Sequence, residues 1–259
     1  MIEKLLKNCG KPQGIGGKLI LNAMNRGHAP LCDWVLHTVL WTDGANVLDV
    51  GCGGGANIDR MFQKYPNCHI DGIDYSAESV KVSKKTNAAR LNISCEILQG
   101  NVMELPYPNH TYDVVTAIET VYFWPDVTEG FRQIFRVLKP GGKVIIACEM
   151  SDPVQGDKWA KRCEGMTIYT AKQLQEMLEQ ACFEHIQIHS GRYGLGSKDT
   201  TPADIVSVFH NTNKSVFTVG IIDDVTHLSL DRGEEINVLP EGTISCKFWG
   251  LGSDGTLGA

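Results

Sequence analysis

This sequence predicts an α/β fold built on an open, doubly wound, mostly parallel sheet. Three observations carry that reading. Short apolar runs alternate with helical segments from residue 47 to residue 189, and strands that alternate with helices form a parallel sheet covered on both faces. The first apolar run opens into a glycine-rich loop, Gly51-Cys52-Gly53-Gly54-Gly55. The second ends on an acid, Asp74, 19 residues after Gly55. Strand-to-strand crossovers are right-handed, so the doubly wound form is the simplest assembly.

The elements follow in order. Over residues 3–40, Leu19, Leu21, Met24, Leu31, Trp34, Val35 and Val39 recur near helical spacing, interrupted at Gly27 and Pro30. Residues 47–50 (VLDV) form the first strand and 55–64 a helix that stops before Pro66. HIDGID (69–74) is a strand. Ser76 caps a helix running to about Leu91, with Glu78 in its first turn. ISCEILQG (93–100) and YDVVTAI (112–118) are strands. Pro125 opens a helix that reaches Leu138, and Pro140-Gly141-Gly142 ends it. KVIIACE (143–149) is a strand, Thr170 caps a helix to about Cys182, and FEHIQIH (183–189) alternates like a strand.

Composition narrows the function classes. The chain has 259 residues, 42% of them hydrophobic and 21% charged, which supports a packed core and excludes a low-complexity chain. No stretch approaches the roughly 20 apolar residues that span a bilayer. The N-terminus lacks an apolar signal region, so the expected compartment is the cytoplasm. A net charge of −6 disfavours a nucleic-acid partner. Nine cysteines are scattered with no C-x-x-C pair, so no metal centre or dithiol redox motif is expected, and reduced thiols fit a cytoplasmic protein. Residues 191–259 hold no Met, 10 of the 27 Gly and a net charge of −4, and they read as a different kind of sequence.

Glycines at the first strand–helix junction let the backbone turn sharply and approach a ligand. An acid at the end of the next strand can accept both hydroxyls of an adenosine ribose. Gly51-x-Gly53-x-x-Ala56 also satisfies the relaxed dinucleotide fingerprint, so a nucleotide-dependent oxidoreductase is an alternative. Asp49 separates the two readings. A carboxylate two residues before the first glycine would repel a pyrophosphate, which this kind of loop binds through its amides. It would attract the ammonium of an aminoacyl ligand, so it favours S-adenosylmethionine.

Residues 45–150 resemble the class I S-adenosylmethionine-dependent methyltransferases, close to the ubiquinone/menaquinone type. VLDVGCGGG, GIDYS (72–76), GNVMELPYPNHTYDVVTAIET (100–120) and RVLKPGGKVII (136–146) carry the resemblance. It implies a Rossmann-like methyltransferase domain over 45–190, with residues 1–44 as a helical lid. It implies that Asp49 engages the donor's amino group, that Gly51, Gly53 and Gly55 line its methionine part, and that Asp74 takes the ribose. Tyr75 would lie along the adenine face, and Asn101 with the Val102 amide would read the adenine edge. The family more often has Asp where this chain has Asn101, yet an Asn oxygen can still accept from the adenine amino group. Glu119 would border both donor and acceptor.

Methyl transfer from a sulfonium relies mostly on proximity and orientation, and a base is needed only for a protonated acceptor. Glu119, Tyr122, His28 and His110 are the candidates. Tyr122, Phe123 and Trp124 are candidates to box an acceptor ring, and Trp34, Trp41, Trp124 and Trp159 to line an apolar pocket. The default acceptor is a small organic molecule, with its identity and the oligomeric state left open.

Residues 191–259 resemble an internal piece of pyruvate:ferredoxin (flavodoxin) oxidoreductase, through GRYGLGSKDTTPADIVSVF, FTVGIIDDVTHLSL and CKFWGLGSDGTLGA. Its one cysteine, Cys246, cannot ligate that family's iron–sulfur clusters. The expectation is a fusion with its junction near Ser190–Gly191, carrying a helix from Thr201-Pro202 to Asn211. Residues 216–222 (VFTVGII) would then take the place of the seventh strand of the methyltransferase sheet. The remaining reading is a non-catalytic, truncated fusion product that only binds ligand.

Overall fold

A computed structural model describes residues 9–181, 190–192, 202–210, 213–219 and 227–231. The chain divides into two compact units, residues 1–190 and 191–259.

The first unit is built on a five-stranded sheet in the order β3-β2-β1-β4-β5. The strands are β1 (Asn46–Val50), β2 (His69–Asp74), β3 (Ile97–Gln99), β4 (Tyr112–Ile118) and β5 (Leu138–Ala147). Every pairing is parallel. The chain moves outward from β1 through β2 to β3, then crosses back to β4 and β5. The reversal falls between β1 and β4, which is where open α/β sheets form their ligand crevice. The helices are α1 (Gly14–Gly27), α2 (Ala29–Thr38), α3 (Ala56–Lys64), α4 (Ala77–Thr86), α5 (Val127–Val137), α6 (Pro153–Ala160) and α7 (Ala171–Gln180).

Adjacent strand residues feed opposite faces. Val47, Ile70, Ile97 and Val114 pack with Cys32, Val35, Ile58, Met61 and Val80 on one side. Leu48, Ile73 and Val115 pack with Phe131, Ile134, Val137 and Leu178 on the other. Burial on both faces explains adjacent apolar pairs such as Val47-Leu48 and Val114-Val115, and the polar residues among them, Asp71 and Thr116, are hydrogen-bonded. At roughly 25 cal/mol per Å² of apolar surface removed from water, these two layers are the main stabilising term.

Several boundaries differ from the sequence expectation. Pro30 does not break a helix; it sits in the first turn of α2, where its missing N–H costs nothing. The helix after Ser76 ends at Thr86 rather than near Leu91, and the strand expected over 93–100 is confined to Ile97–Gln99. The helix expected from Pro125 starts at Val127, because Asp126 caps it by accepting from the Glu129 N–H. It ends at Val137, and the Pro140-Gly141-Gly142 stretch falls within β5 instead of closing a helix. There the register jumps from Tyr112↔Leu138 to Val114↔Lys143, so residues 139–142 bulge opposite Asp113, with Gly141 at φ +77°. Thr170 caps α7 in a full capping box with Gln173. The strand expected at 183–189 lies outside the described residues.

In the second unit, α8 spans Pro202–His210. The short strands β6 (Ser190–Arg192) and β7 (Val216–Thr218) form their own two-stranded ladder. Thr218 also exchanges backbone hydrogen bonds with Leu228 and Leu230, and Lys214 Nζ donates to the His227 and Ser229 carbonyls. This corrects the expectation for residues 216–222. The ladder bonds of Val216–Thr218 are committed to neighbours outside the five-stranded sheet, so this segment does not serve as its seventh strand; residues 220–222 lie outside the described set.

Helix α5 offers a direct check on the packing. Phe131 is fully buried against Trp124, while Phe135, one turn on, is 43% exposed. Phe131→Ala should cost about 3–5 kcal/mol in urea unfolding. Phe135→Ala should cost about 1 kcal/mol or less.

Candidate active site

The loop after β1 is shaped by its glycines. Gly51 has φ +75°, and a Cβ there would lie 2.0 Å from Thr120 Oγ1, so only glycine fits. Gly53 also has positive φ, but nothing lies closer than 4.0 Å to where its Cβ would be, and it borders open space. A cleft is lined by this loop (Gly51–Gly54, Ala56, Asn57), by Leu21, Met24, Asn25 and His28 from α1 and its end, and by Ile118 and Glu119 from β4.

Asp49 sits at the tip of β1, in register with Thr116 of β4. It is 1% exposed. Its Oδ1 accepts the Thr116 hydroxyl at 2.7 Å, whereas its buried Oδ2 has no hydrogen-bond partner. Burial pushes its pKa up to about 7, the Thr116 hydrogen bond opposes that shift, and the nearby charge of Asp74 adds to it. Asp74 ends β2 and is tied to the glycine loop: Oδ2 accepts the Gly53 N–H at 2.9 Å and Oδ1 accepts the Ser76 N–H at 2.8 Å. Burial raises its pKa, and these two hydrogen bonds counter that.

The other expected donor residues line up along the same strand ends, and none of Asp49, Asp74, Tyr75, Asn101 and Val102 is part of the cleft wall. Tyr75 is 47% exposed, with the Lys11 ammonium 4.2 Å from its ring centre. Asn101 is exposed, and its Oδ1 accepts the Met103 N–H. The Val102 side chain is buried in the core, so only its backbone is available to a ligand. The N-terminal segment is docked on this edge. Ser76 Oγ donates to the Pro12 carbonyl at 2.7 Å, and Asn25 packs so close to Gly54 that a Cβ there would clash.

On the other side of the cleft, Glu119 has φ +58°, unusual for a residue with a side chain. Its Oε1 accepts the Tyr122 hydroxyl at 3.1 Å and the Glu149 backbone N–H, and its Oε2 lies 3.9 Å from His28 Nε2. Burial pushes the Glu119 pKa up to about 7, and burial lowers that of His28. His28, Glu119 and Glu149 each place one nitrogen or oxygen within 4.8 Å of the others.

The aromatic candidates read differently from the expectation. Tyr122 is buried, its hydroxyl donates to Glu119 and accepts from the Met150 N–H, and burial drives its pKa far above the usual phenol range. Both hydrogen-bonding directions are used, so Tyr122 holds Glu119 in place and is no free base. Trp41 packs on Tyr65, and Trp124 packs on Phe131 while donating to Thr120 Oγ1. These indoles build the core rather than a pocket wall. His110 is exposed, pairs with the Leu138 carbonyl and does not line the cleft. Sequence reasoning missed Glu149, Thr116 and Asn25. The signal for Glu149 was present: an acid follows the apolar strand β5, at the carboxyl edge where Glu119 follows β4.

Residues 48–146 match the family model described as a methyltransferase domain. The uncharacterized methyltransferase YdaC of Bacillus subtilis (strain 168) is 31% identical over 119 residues, covering 46% of this chain and 64% of that one. A pyruvate:ferredoxin oxidoreductase of Moorella thermoacetica is 52% identical over 93 residues, covering 33% of this chain but 8% of that protein. This chain thus spans less than two thirds of either curated relative. A solved structure from Methanococcus maripaludis, described as an S-adenosyl-L-methionine-dependent methyltransferase, superposes with a TM-score of 0.52 at 24% identity, over 70% of this chain and 87% of that one. Among the described residues, no helix is long and apolar enough to cross a membrane. The glycine loop, the acid at the end of β2 and nearly all of the parallel sheet that carries them fall within residues 48–146, the stretch that matches the methyltransferase-domain model.

Proposed function

We propose that this chain catalyses S-adenosylmethionine-dependent methyl transfer to a small-molecule acceptor. The observation that carries the reading is the Asp49 carboxylate. A buried anionic oxygen left without a partner is costly, and a cationic amino group at the strand tip would relieve that cost. A dinucleotide would instead bring its pyrophosphate towards this carboxylate and Asp74, which disfavours the oxidoreductase alternative.

The residues present suit such a donor. Asp49 would hold its amino group, and Gly51 and Gly53 would leave room for its methionine part; Gly55, expected to do the same, is packed against Ser83 and Asn87 and does not line the cleft. Each oxygen of Asp74 accepts one backbone N–H and keeps a lone pair for a ribose hydroxyl. Tyr75 would lie along the adenine, with the Val102 N–H and Asn101 at its edge. The Asn101 Oδ1 keeps a second lone pair for the adenine amino group. When bound, the donor supplies a methyl group already activated on a sulfonium. The protein's share is then positioning and exclusion of water. Helix α1 and His28, which border the cleft, would serve as the lid, whereas α2 is packed into the core; Glu119 and His28 face the acceptor, and Tyr122 fixes the Glu119 carboxylate. The setting is the cytoplasm, in line with the scattered cysteines.

Two predictions follow from the donor side. Saturating S-adenosylhomocysteine, at about 100 times its Kd, should stabilise the full chain by about 2.7 kcal/mol in thermal melts. NADH should give no comparable shift. Gly51→Ala should remove the stabilisation, because a Cβ cannot share space with Thr120.

Asp49→Asn should have opposite effects on stability and binding. In the ligand-free protein the folded-state pKa of Asp49 is raised, so the folded chain holds a proton that the unfolded chain loses between about pH 4 and 7. Stability therefore falls as pH rises through that window. The Asn variant should show a shallower fall and a Tm several degrees higher at pH 8, while losing at least about tenfold in S-adenosylhomocysteine affinity.

A further inference from the structure

We propose that the methyl acceptor is an amine, held as an ammonium between His28, Glu119 and Glu149. This rests on the methyl-transfer reading above and adds the acceptor's chemical class to it.

The three groups come from three separate places in the chain. His28 lies at the break between α1 and α2, Glu119 at the tip of β4, and Glu149 just past β5. Their atoms lie within 4.8 Å of one another. Three atoms this close fit within a circle of about 2.8 Å radius, so one ammonium placed among them can reach all three at hydrogen-bond length.

Charge points the same way. Two carboxylates approach each other here, and among the described residues no lysine or arginine forms an ion pair with either. Glu119 is nine-tenths buried; its Oε1 is saturated by Tyr122 and the Glu149 N–H, while its Oε2 accepts no hydrogen bond among the described residues. Bringing a cation between two carboxylates offsets their repulsion, whereas a neutral alcohol or thiol leaves it in place. His28 and Glu119 share the cleft wall with Gly51 and Gly53, so the ammonium would sit beside the loop assigned to the donor.

An ammonium has no lone pair, so one proton must leave before transfer. Burial keeps His28 neutral near pH 7 and able to accept it at a ring nitrogen. The freed nitrogen lone pair then forms the new N–C bond. The donor's C–S bond breaks with its electron pair on sulfur, leaving a thioether and a methylated ammonium. His28 passes its proton to water.

The test uses the full chain saturated with S-adenosylhomocysteine. Binding of butylamine and phenethylamine is compared by ligand-observed NMR with binding of 1-butanol and 2-phenylethanol. The amines should bind at least about tenfold more tightly than the matching alcohols, and Glu149→Gln should weaken amine binding about tenfold or more. The same variant should leave S-adenosylhomocysteine affinity within about twofold, since Glu149 does not line the donor loop. Equal binding of amines and alcohols, with S-adenosylhomocysteine still bound, overturns the amine assignment and leaves the methyl-transfer reading standing. So does Mn2+ binding that depends on Glu149 and is not displaced by the amines. Failure of S-adenosylhomocysteine to bind the parent chain overturns both.

Discussion

The structure turns on one half-satisfied carboxylate. Asp49 is buried at the end of β1 with one oxygen held by Thr116 and the other left without a partner. The fold must hold it there against its tendency to take up a proton or return to water. The parallel ladders on both sides of β1 do so: β2 fixes the backbone on one flank, and β4 supplies Thr116 in register on the other. The positive-φ glycines then carry the chain sharply away from the strand end, beside the buried, unpaired oxygen.

The same ladders order the rest of the site. Because β1 lies between β2 and β4, the carboxyl ends of three strands place Asp49, Asp74 and Glu119 along one edge. Asp74 is tied back to the loop through the Gly53 N–H, so the loop and the second acid are set together. Glu119 is itself left-handed and is fixed by Tyr122 and the Glu149 N–H. Three acids with raised pKa values or close acidic neighbours form a region of low potential in which an incoming cation meets little competition from the chain's own lysines and arginines.

Much of this was legible in the sequence. The strands at 69–74 and 112–118 coincide with those of the structure, because short β-branched segments between helical segments mark the strands of a parallel sheet. The glycine loop and Asp74 were legible because backbone turns and strand-end acids leave local signatures. What failed was non-local. Nothing in Pro140-Gly141-Gly142 alone says that it will bulge from a strand opposite Asp113, since that depends on the register with β4. The Tyr122-Phe123-Trp124 run could face a ligand or the core, and only the packing against Phe131 and the clasp on Glu119 decide it. Glu149 was visible as an acid after a strand, yet its nearness to His28 depends on a helix break more than a hundred residues away. Residues 216–218 had the composition of a core strand, but pairing partners are not written in composition.

The central claim is that the unpaired, buried oxygen of Asp49 holds the donor's amino group. Titration calorimetry of S-adenosylhomocysteine between pH 5.5 and 8.5, in buffers of different ionisation enthalpy, tests it most directly. With Asp49 titrating near pH 7 in the free protein, binding should release a proton below that pH, strengthen as pH rises and level off above it. The Asp49→Asn chain should lose that pH dependence. A parent chain that binds with pH-independent affinity and no proton release would contradict the claim.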